Sequence, residues 1–440
     1  MSISKKSFQR ILWILLLLTG ILLVTIAVKR DIFYKDNYNP DLRNRIVGAR
    51  LIKDGRSPYY YKWKETDGIR YYDPEGFFYK SVNNITASPF FHRLLIPFCE
   101  LPQSKISVIW LWLQYGMFAI IVLVAVSFCR NFLSRYFTIA IALSFLFTAA
   151  WKNHVLAGQM YIAIPFFLSL FTYVFCKAKT SSAFFLAGAI VLCLVLIRIN
   201  FLVFLLPFLL LAKNVGLKRI LLFCTPAFLW VILICLNGFE RGLWKDYLGA
   251  IEQHSQMHQL VSDSQLDKYP RPNYPEWEGI VMKDKNLLSP GLNTENGNFF
   301  LMFKMVTGKN LAPVNLLLIS SLSILALFTF FYLRSAKIKI NDAAVMQVII
   351  AGFCFYMITD IFSPITRHQC YTMQWLFIVL FFTATQPLKR YYSILIVVGL
   401  VLSITDFTFI KMRHTIGEYL ILISLILHLI HYFKLRPLKQ

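Results

Sequence analysis

Six side chains in this sequence have the chemistry to bind or move charge beside a membrane: Asp41, His154, Gln159, Arg198, Arg367 and His368. Asp41 follows Asn39-Pro40. A carboxylate held at a membrane interface can accept a proton from a hydroxyl group. Its structural alternative is an acid in a helix first turn, where it stabilises the helix dipole. Asp36, Asp54 and Asp73 compete for the same role, and the order of preference is Asp41, Asp36, Asp54. Arg198 interrupts a long apolar stretch. A charge there is costly unless it faces a cavity or a partner. A guanidinium fork suits a phosphate, and a structural ion pair with Asp360 or Asp406 is the alternative. Arg367 and His368 follow Ser363-Pro364, where snorkelling to the interface competes with phosphate binding. His254 and His258 are four apart near Glu252, a helical spacing that can hold zinc. No third ligand accompanies them, so no metal is expected.

The elements that position these groups follow from composition. Of 440 residues, 57% are hydrophobic and only 15% charged, and Phe occurs 40 times. Soluble domains carry about 45–50% apolar and about 25% charged residues. The mean hydropathy is +0.58. Lipid can cover that much apolar surface and water cannot. Disordered, collagen-like, coiled-coil and disulfide-rich secreted classes are excluded by the same numbers. The eight cysteines form no CxxC pair and sit mostly in apolar runs, where Cys behaves as a small hydrophobe.

The expected fold is therefore all-α: one polytopic integral membrane domain over 1–440. Apolar runs lie near 11–28, 106–128, 136–150, 160–176, 183–197, 200–212, 220–237, 312–333, 344–361, 370–385, 391–410 and 418–433, or about twelve spans. The first reads as a retained anchor, since no small-residue cleavage site follows it. Lys5, Lys6 and Arg10 precede it, which places the N-terminus in the cytoplasm. Alternating from there, every inner connection carries at least two basic residues, from Arg130 and Arg135 to Lys389 and Arg390. The net charge of +23 is then an orientation signal. No nucleic-acid-binding signature accompanies it, so no nucleic-acid partner is expected.

Both termini fall inside, and two long loops, 29–105 and 238–311, fall outside. Structureless loops of that length tend to be functional. In the first, Leu42, Ile46, Ala49 and Ile52 recur at helical spacing. Asn39 is placed to cap the helix, Pro40 suits its first position, and it stops at Asp54-Gly55. This reads as an amphipathic helix lying at the outer interface. In the second, 293–298 reads as a loop and cap before Phe299–Val306, an apolar segment too short to span. In this topology all six candidate residues lie on the outer side, where an even scatter would put some inside.

One span, then Asp41 with Gly55-Arg56-Ser57-Pro58-Tyr59, then Pro97, then His154-Val155-Leu156-Ala157-Gly158-Gln159 before an apolar helix, resembles a known group. Arg198 and Ser363-Pro364 with Arg367-His368 extend the likeness. The chain resembles the polyprenyl-phosphate-sugar-dependent glycosyltransferases of the GT-C fold, most of all glycosyltransferase family 87, which includes actinobacterial α-mannosyltransferases. It departs from that family in having Arg198 for a common Lys, Arg367-His368 for a His-His pair, and an unlike stretch from Trp63 to Ser88.

The resemblance implies transfer of a sugar, mannose or another hexose, from a polyprenyl-phosphate donor to an acceptor hydroxyl on a lipid or glycan. The reaction would run at the outer face of the plasma or inner membrane, with inversion and no cofactor. It implies Asp41 as base; Arg198, Arg367 and His368 on the donor phosphate; and His154, Gln159 and Tyr59 on substrate. A glycolipid transporter or flippase, and a polysaccharide polymerase or ligase, are the alternatives. No internal repeat is visible, which weighs against a transporter built from duplicated halves.

The topology is checked with reporter fusions. A fusion after Arg219 or Arg390 should read cytoplasmic and an insertion near Asp263 external. An external signal at Arg390 would refute the scheme.

Overall fold

A computed structural model describes residues 5–35, 39–61, 65–67, 70–71, 86–177, 180–212, 215–258, 298–307, 309, 311–334, 342–365, 367, 369–385, 390–405 and 413–434. His368, Asp36, Asp73, Asp406 and most of the second long loop lie outside these residues. Within them the chain is helical and contains no strand. In a chain this apolar, helices satisfy every backbone group internally, as lipid requires.

Among the described residues six helices are long and apolar enough to cross a membrane: α1 (Lys5–Lys35), α4 (Gln103–Ser127), α10 (Leu217–Leu236), α13 (Pro313–Arg334), α14 (Asp342–Ile361) and α17 (Arg413–Lys434). A seventh crossing exists if α5 (Phe132–Phe145) and α6 (Ala149–Ala157), bent by 53° at their junction, form one broken span. The remaining apolar runs form shorter helices of 10–17 residues. These are α7 (Ala163–Lys177), α8 (Ser181–Ile197), the 3₁₀ stretch Ile199–Phe208 with α9 (Leu209–Ala212), Gln369–Trp375 with α15 (Leu376–Thr385), and α16 (Arg390–Ile404), while the nine-residue α12 (Phe299–Thr307) precedes α13. Every predicted apolar run is helical over its described residues, and among those residues six helices, or seven with the broken pair, reach spanning length. The shortening has local causes. Thr148 caps α6 by accepting from the Trp151 N–H at 3.2 Å, which starts a new helix inside one apolar run. Arg198 leaves α8 in extended backbone, φ −144°.

The core is built around α14, whose span is 94% buried. Its Gly352 lies so close to the 3₁₀ stretch that a Cβ would come within 2.5 Å of the Phe204 carbonyl oxygen. Such small-residue contacts let helices approach where lipid supplies no hydrophobic drive.

The first long loop folds onto this bundle. α2 (Pro40–Lys53) buries two faces. Leu42, Ile46 and Ala49 pack with Phe91 and Leu95 of α3 (Pro89–Leu95) and with Trp110 of α4. Val47, Leu51 and Ile52 pack with Tyr59 and with Leu243 and Tyr247 of α11 (Gly238–His258). Arg43 and Asn44 are buried too, so α2 is enclosed by protein and does not lie flat on a surface. Asn39 also differs from expectation. Its backbone is left-handed, φ 59°, and its side chain makes no helix cap. Nδ2 instead donates to Ser107 Oγ at 3.1 Å, and the backbone N–H donates to the Leu156 carbonyl at 2.8 Å. The asparagine fastens α2 to α4 and α6. The far end stops at Asp54-Gly55 as expected, with Gly55 at φ 72° and the Arg56 N–H returning to the Leu51 carbonyl at 2.9 Å.

A surface clamp closes the loop. Arg70 donates to Asp54 at 2.6 Å and to Glu100 at 2.9 Å. Hydrogen bonds from Arg70 hold both carboxyls down, to about 2 each. The buried His92 ring packs directly against Gly48 of α2. Burial pushes the ring down to about 4, so it is neutral, with Nδ1 3.0 Å from the Arg45 carbonyl oxygen. A Cβ on Gly48 would come within 2.4 Å of this ring. Gly48→Ala should therefore destabilise by about 1–3 kcal/mol through overpacking, although alanine favours the helix by up to about 1 kcal/mol. Thermal unfolding of the detergent-solubilised protein checks this. An unchanged or raised midpoint would show that the ring moves aside freely.

Candidate functional site

Two constellations meet at one cavity. The first begins with Asp41 in the opening turn of α2. α6 ends at Gly158 in the left-handed conformation, φ 65°. A Cβ there would stand 2.6 Å from that of Leu42, so only glycine lets α6 end against α2. This close approach delivers Gln159, the next residue. Its Nε2 donates to Asp41 Oδ2, and its Oε1 accepts from Arg45 Nη2 at 2.8 Å. Arg45 Nη1 also donates to the Gly158 carbonyl at 2.9 Å. A guanidinium only donates and a carboxylate only accepts. The amide orientation of Gln159 is therefore fixed, and Asp41, Gln159 and Arg45 form one directed chain.

His154 supports this chain without entering it. It is fully buried. Nε2 accepts from the Ile162 N–H at 3.1 Å, so Nδ1 carries the proton toward Gln114 Oε1 at 3.0 Å. His154 pins both ends of the turn that carries Gln159: its ring holds Ile162, and its backbone carbonyl accepts from the Gln159 N–H at 3.0 Å. Tyr59 is likewise a support. Its hydroxyl donates to the Ala87 carbonyl at 2.9 Å, and its ring lies 5.6 Å from that of Tyr247. Ala87 and Tyr247 line the cavity, and Tyr59 stands behind them. Ser57, two residues earlier, donates to Asp246 of α11 at 2.6 Å, which ties the Gly55–Tyr59 loop to the same wall.

The second constellation is a buried charge network. Arg198 Nη2 pairs with Asp360 at 2.9 Å, and Nη1 donates to the Tyr356 hydroxyl at 3.1 Å. Its guanidinium also lies over the rings of Tyr161 and Tyr371, at 5.5 and 5.3 Å. Arg367 pairs with Glu418 at 2.9 Å and with Asp360 at 3.4 Å. Gln374 Nε2 donates to Asp360 at 3.3 Å, and Trp375 Nε1 donates to Glu418 at 2.9 Å. Four separate elements contribute: the end of α8, the end of α14, the 3₁₀ turn at 369–375 and the start of α17.

The cavity has a volume of about 1050 Å³, near the top of the range of about 300–1,000 Å³ for small-molecule sites. Arg45, Arg198, Arg367 and Asp360 line one end with Tyr161 and Tyr371. Val203 and Leu206 of the 3₁₀ stretch, and Leu317, Ile324, Leu325 and Phe328 of α13, form an apolar wall interrupted by Ser320 and Ser321. Leu317 to Phe328 is eleven helical steps, or about 16 Å. Leu317 and Leu325 are also exposed on the outside of the bundle, so the apolar part opens sideways, where lipid would lie.

Arg198 and Arg367 thus come together on Asp360. The ion pair of Arg198 with Asp360, its structural alternative, is present. Asp41 is half-buried and sits one hydrogen-bonded residue behind the cavity wall, linked to it through Gln159 and Arg45. Asp54 belongs to the surface clamp. Among the described residues no His, Cys, Asp and Glu group is arranged to hold a metal. Sequence reasoning missed Glu418, Gln374, Tyr356 and the Tyr161–Tyr371 pair. Glu418 carried a usable signal, an acid at the start of an apolar helix. No family model matches the chain, and no curated protein or solved structure matches it either.

Proposed function

We propose that the protein is a membrane glycosyltransferase of the GT-C type. It moves a sugar, mannose or another hexose, from a polyprenyl-phosphate donor to an acceptor hydroxyl at the outer face of the cell membrane. The observation that carries this reading is the shape of the cavity. Three arginines stand at one end, and an apolar track about 16 Å long, open to the side, leads away from them. A phosphate joined to a long hydrocarbon chain has the same polarity. Arg198 and Arg367 supply the forks for its oxygens. The chain follows Leu317, Ile324, Leu325 and Phe328 toward lipid.

The reaction assigned to this site is a displacement at the sugar C1. The acceptor oxygen forms its bond to C1 as the C1–O bond to phosphate breaks. That electron pair stays on the phosphate oxygen, beside the arginines. The acceptor proton passes to Asp41. Gln159 engages Asp41 Oδ2, and because Asp41 stands behind the cavity lining the acceptor hydroxyl enters from the Asp41 side of the wall. Inversion follows from attack opposite the leaving phosphate. Arginines already in place stabilise charge where it develops, and need no reorganisation to do so.

Purified protein in nanodiscs, supplied with radiolabelled polyprenyl-phosphate hexose and a lipid acceptor extract, tests the reading. Asp41→Asn keeps the shape and removes the base, so turnover should fall about 10²-fold or more while donor still binds. Arg198→Ala should raise KM for the donor, and Arg198→Lys should recover part of the loss, since charge survives and the fork does not. Loss-free turnover in Asp41→Asn would remove Asp41 as the base. Transport of an intact glycolipid, with no sugar transferred, would replace the transferase by a flippase.

A further inference from the structure

Among the described residues that line the cavity, Asp360 is the only acid. It does not share the situation of Glu418. Glu418 belongs to Arg367 at 2.9 Å, is held by Trp375, and stands outside the cavity lining. Asp360 instead spans both arginines, at 2.9 Å to Arg198 and 3.4 Å to Arg367. It also has a second anchor in Gln374 Nε2 at 3.3 Å. The two arginines and two acids sum to zero charge. Two guanidinium groups in an apolar bundle without counter-charge would be strongly unfavourable. An empty site therefore needs an anion on Arg198, and a bound phosphate supplies another.

Resting on the phosphate-site reading above, we propose that Asp360 is an internal stand-in for the lipid phosphate, which favours release of the spent carrier. The donor is a phosphodiester with one negative charge. When the C1–O bond breaks, the electron pair remains on phosphate and the carrier becomes a monoester. Its second pKa is near 6, so above neutrality its charge approaches −2. A fixed carboxylate beside the same forks repels the dianion more than the monoanion. It therefore opposes the product more than the donor. Arg367 keeps its place throughout, because Glu418, itself held by Trp375, binds it independently.

Two soluble isoprenoid probes separate charge from chain: farnesyl phosphate, a dianion at pH 8, and its methyl ester, a monoanion. Their dissociation constants are measured on the full chain in nanodiscs. Wild type should bind the diester at least as tightly as the dianion. Asp360→Asn should invert that order, tightening farnesyl phosphate by about tenfold or more and the diester by less. Asp360→Glu keeps the charge and should return both constants to within about threefold of wild type. If wild type binds the dianion tenfold tighter than the diester, the proposal is wrong, and this arm requires no variant to fold. Equal tightening of both probes in Asp360→Asn also overturns it, as does no tightening. Failure of wild type to bind either probe would instead remove the phosphate site itself.

Discussion

Two arginines in an apolar helical bundle, Arg367 buried and Arg198 half-buried, set the terms for this structure. Arg198 and Arg367 cannot remain in such surroundings without counter-charge, and Asp360 and Glu418 provide it at 2.9 Å each. These four residues come from the end of α8, the end of α14 with the turn that follows it, and the start of α17, segments that lie far apart in sequence. Bringing them together requires two breaks in otherwise apolar runs. One is the extended backbone at Arg198; the other is the turn between Ile361 and Gln369. The cavity opens at those breaks, because a broken helix frees both side chains and backbone from continuous packing. Gly352 then allows α14 to press against the 3₁₀ stretch that follows Arg198, and this fixes the distance between the two halves of the network.

The second constraint is the meeting of α2 with the end of α6. Gly158 permits the contact, Asn39 fastens it from one side, and the doubly bonded His154 ring braces it from the other. None of these three residues lines the cavity. Their combined effect is to hold Gln159 where its amide can join Asp41 to Arg45. In the proposed reaction that chain orients the base, and the arginine network receives the leaving phosphate. The two parts share one wall through Arg45, which both joins Gln159 and lines the cavity.

Much of this architecture was legible in the sequence, for identifiable reasons. Apolar runs report helices well, since lipid leaves the backbone few other conformations. Where those helices stop was less legible. Thr148 capping α6 and the bend of 53° arise within stretches that read as continuous. α2 was recognised from its period and its Asp54-Gly55 stop. That it is buried on two faces depends on α3, α4 and α11, which no local pattern specifies. Asn39 shows the same limit: its residue type suits a cap, but tertiary bonds to Ser107 and Leu156 hold it left-handed. Arg198 was conspicuous because charge within an apolar run is rare. Its partner could be narrowed only to Asp360 or Asp406, because pairing across 162 positions leaves no trace in spacing. His154 and Tyr59 were found as residues of interest, yet their contacts make them supports for the wall and the turn.

The account stands or falls on what occupies the cavity. A density map of the full chain in a nanodisc with a polyprenyl phosphate bound is the most direct measurement. The account predicts phosphate density within hydrogen-bond reach of both Arg198 and Arg367, at about 2.7–2.9 Å for charge-assisted bonds. It also predicts isoprenoid density along Leu317, Ile324 and Phe328. Lipid phosphate bound elsewhere, with Arg198 still closed on Asp360 and the apolar track empty or filled by ordinary bilayer lipid, would contradict it.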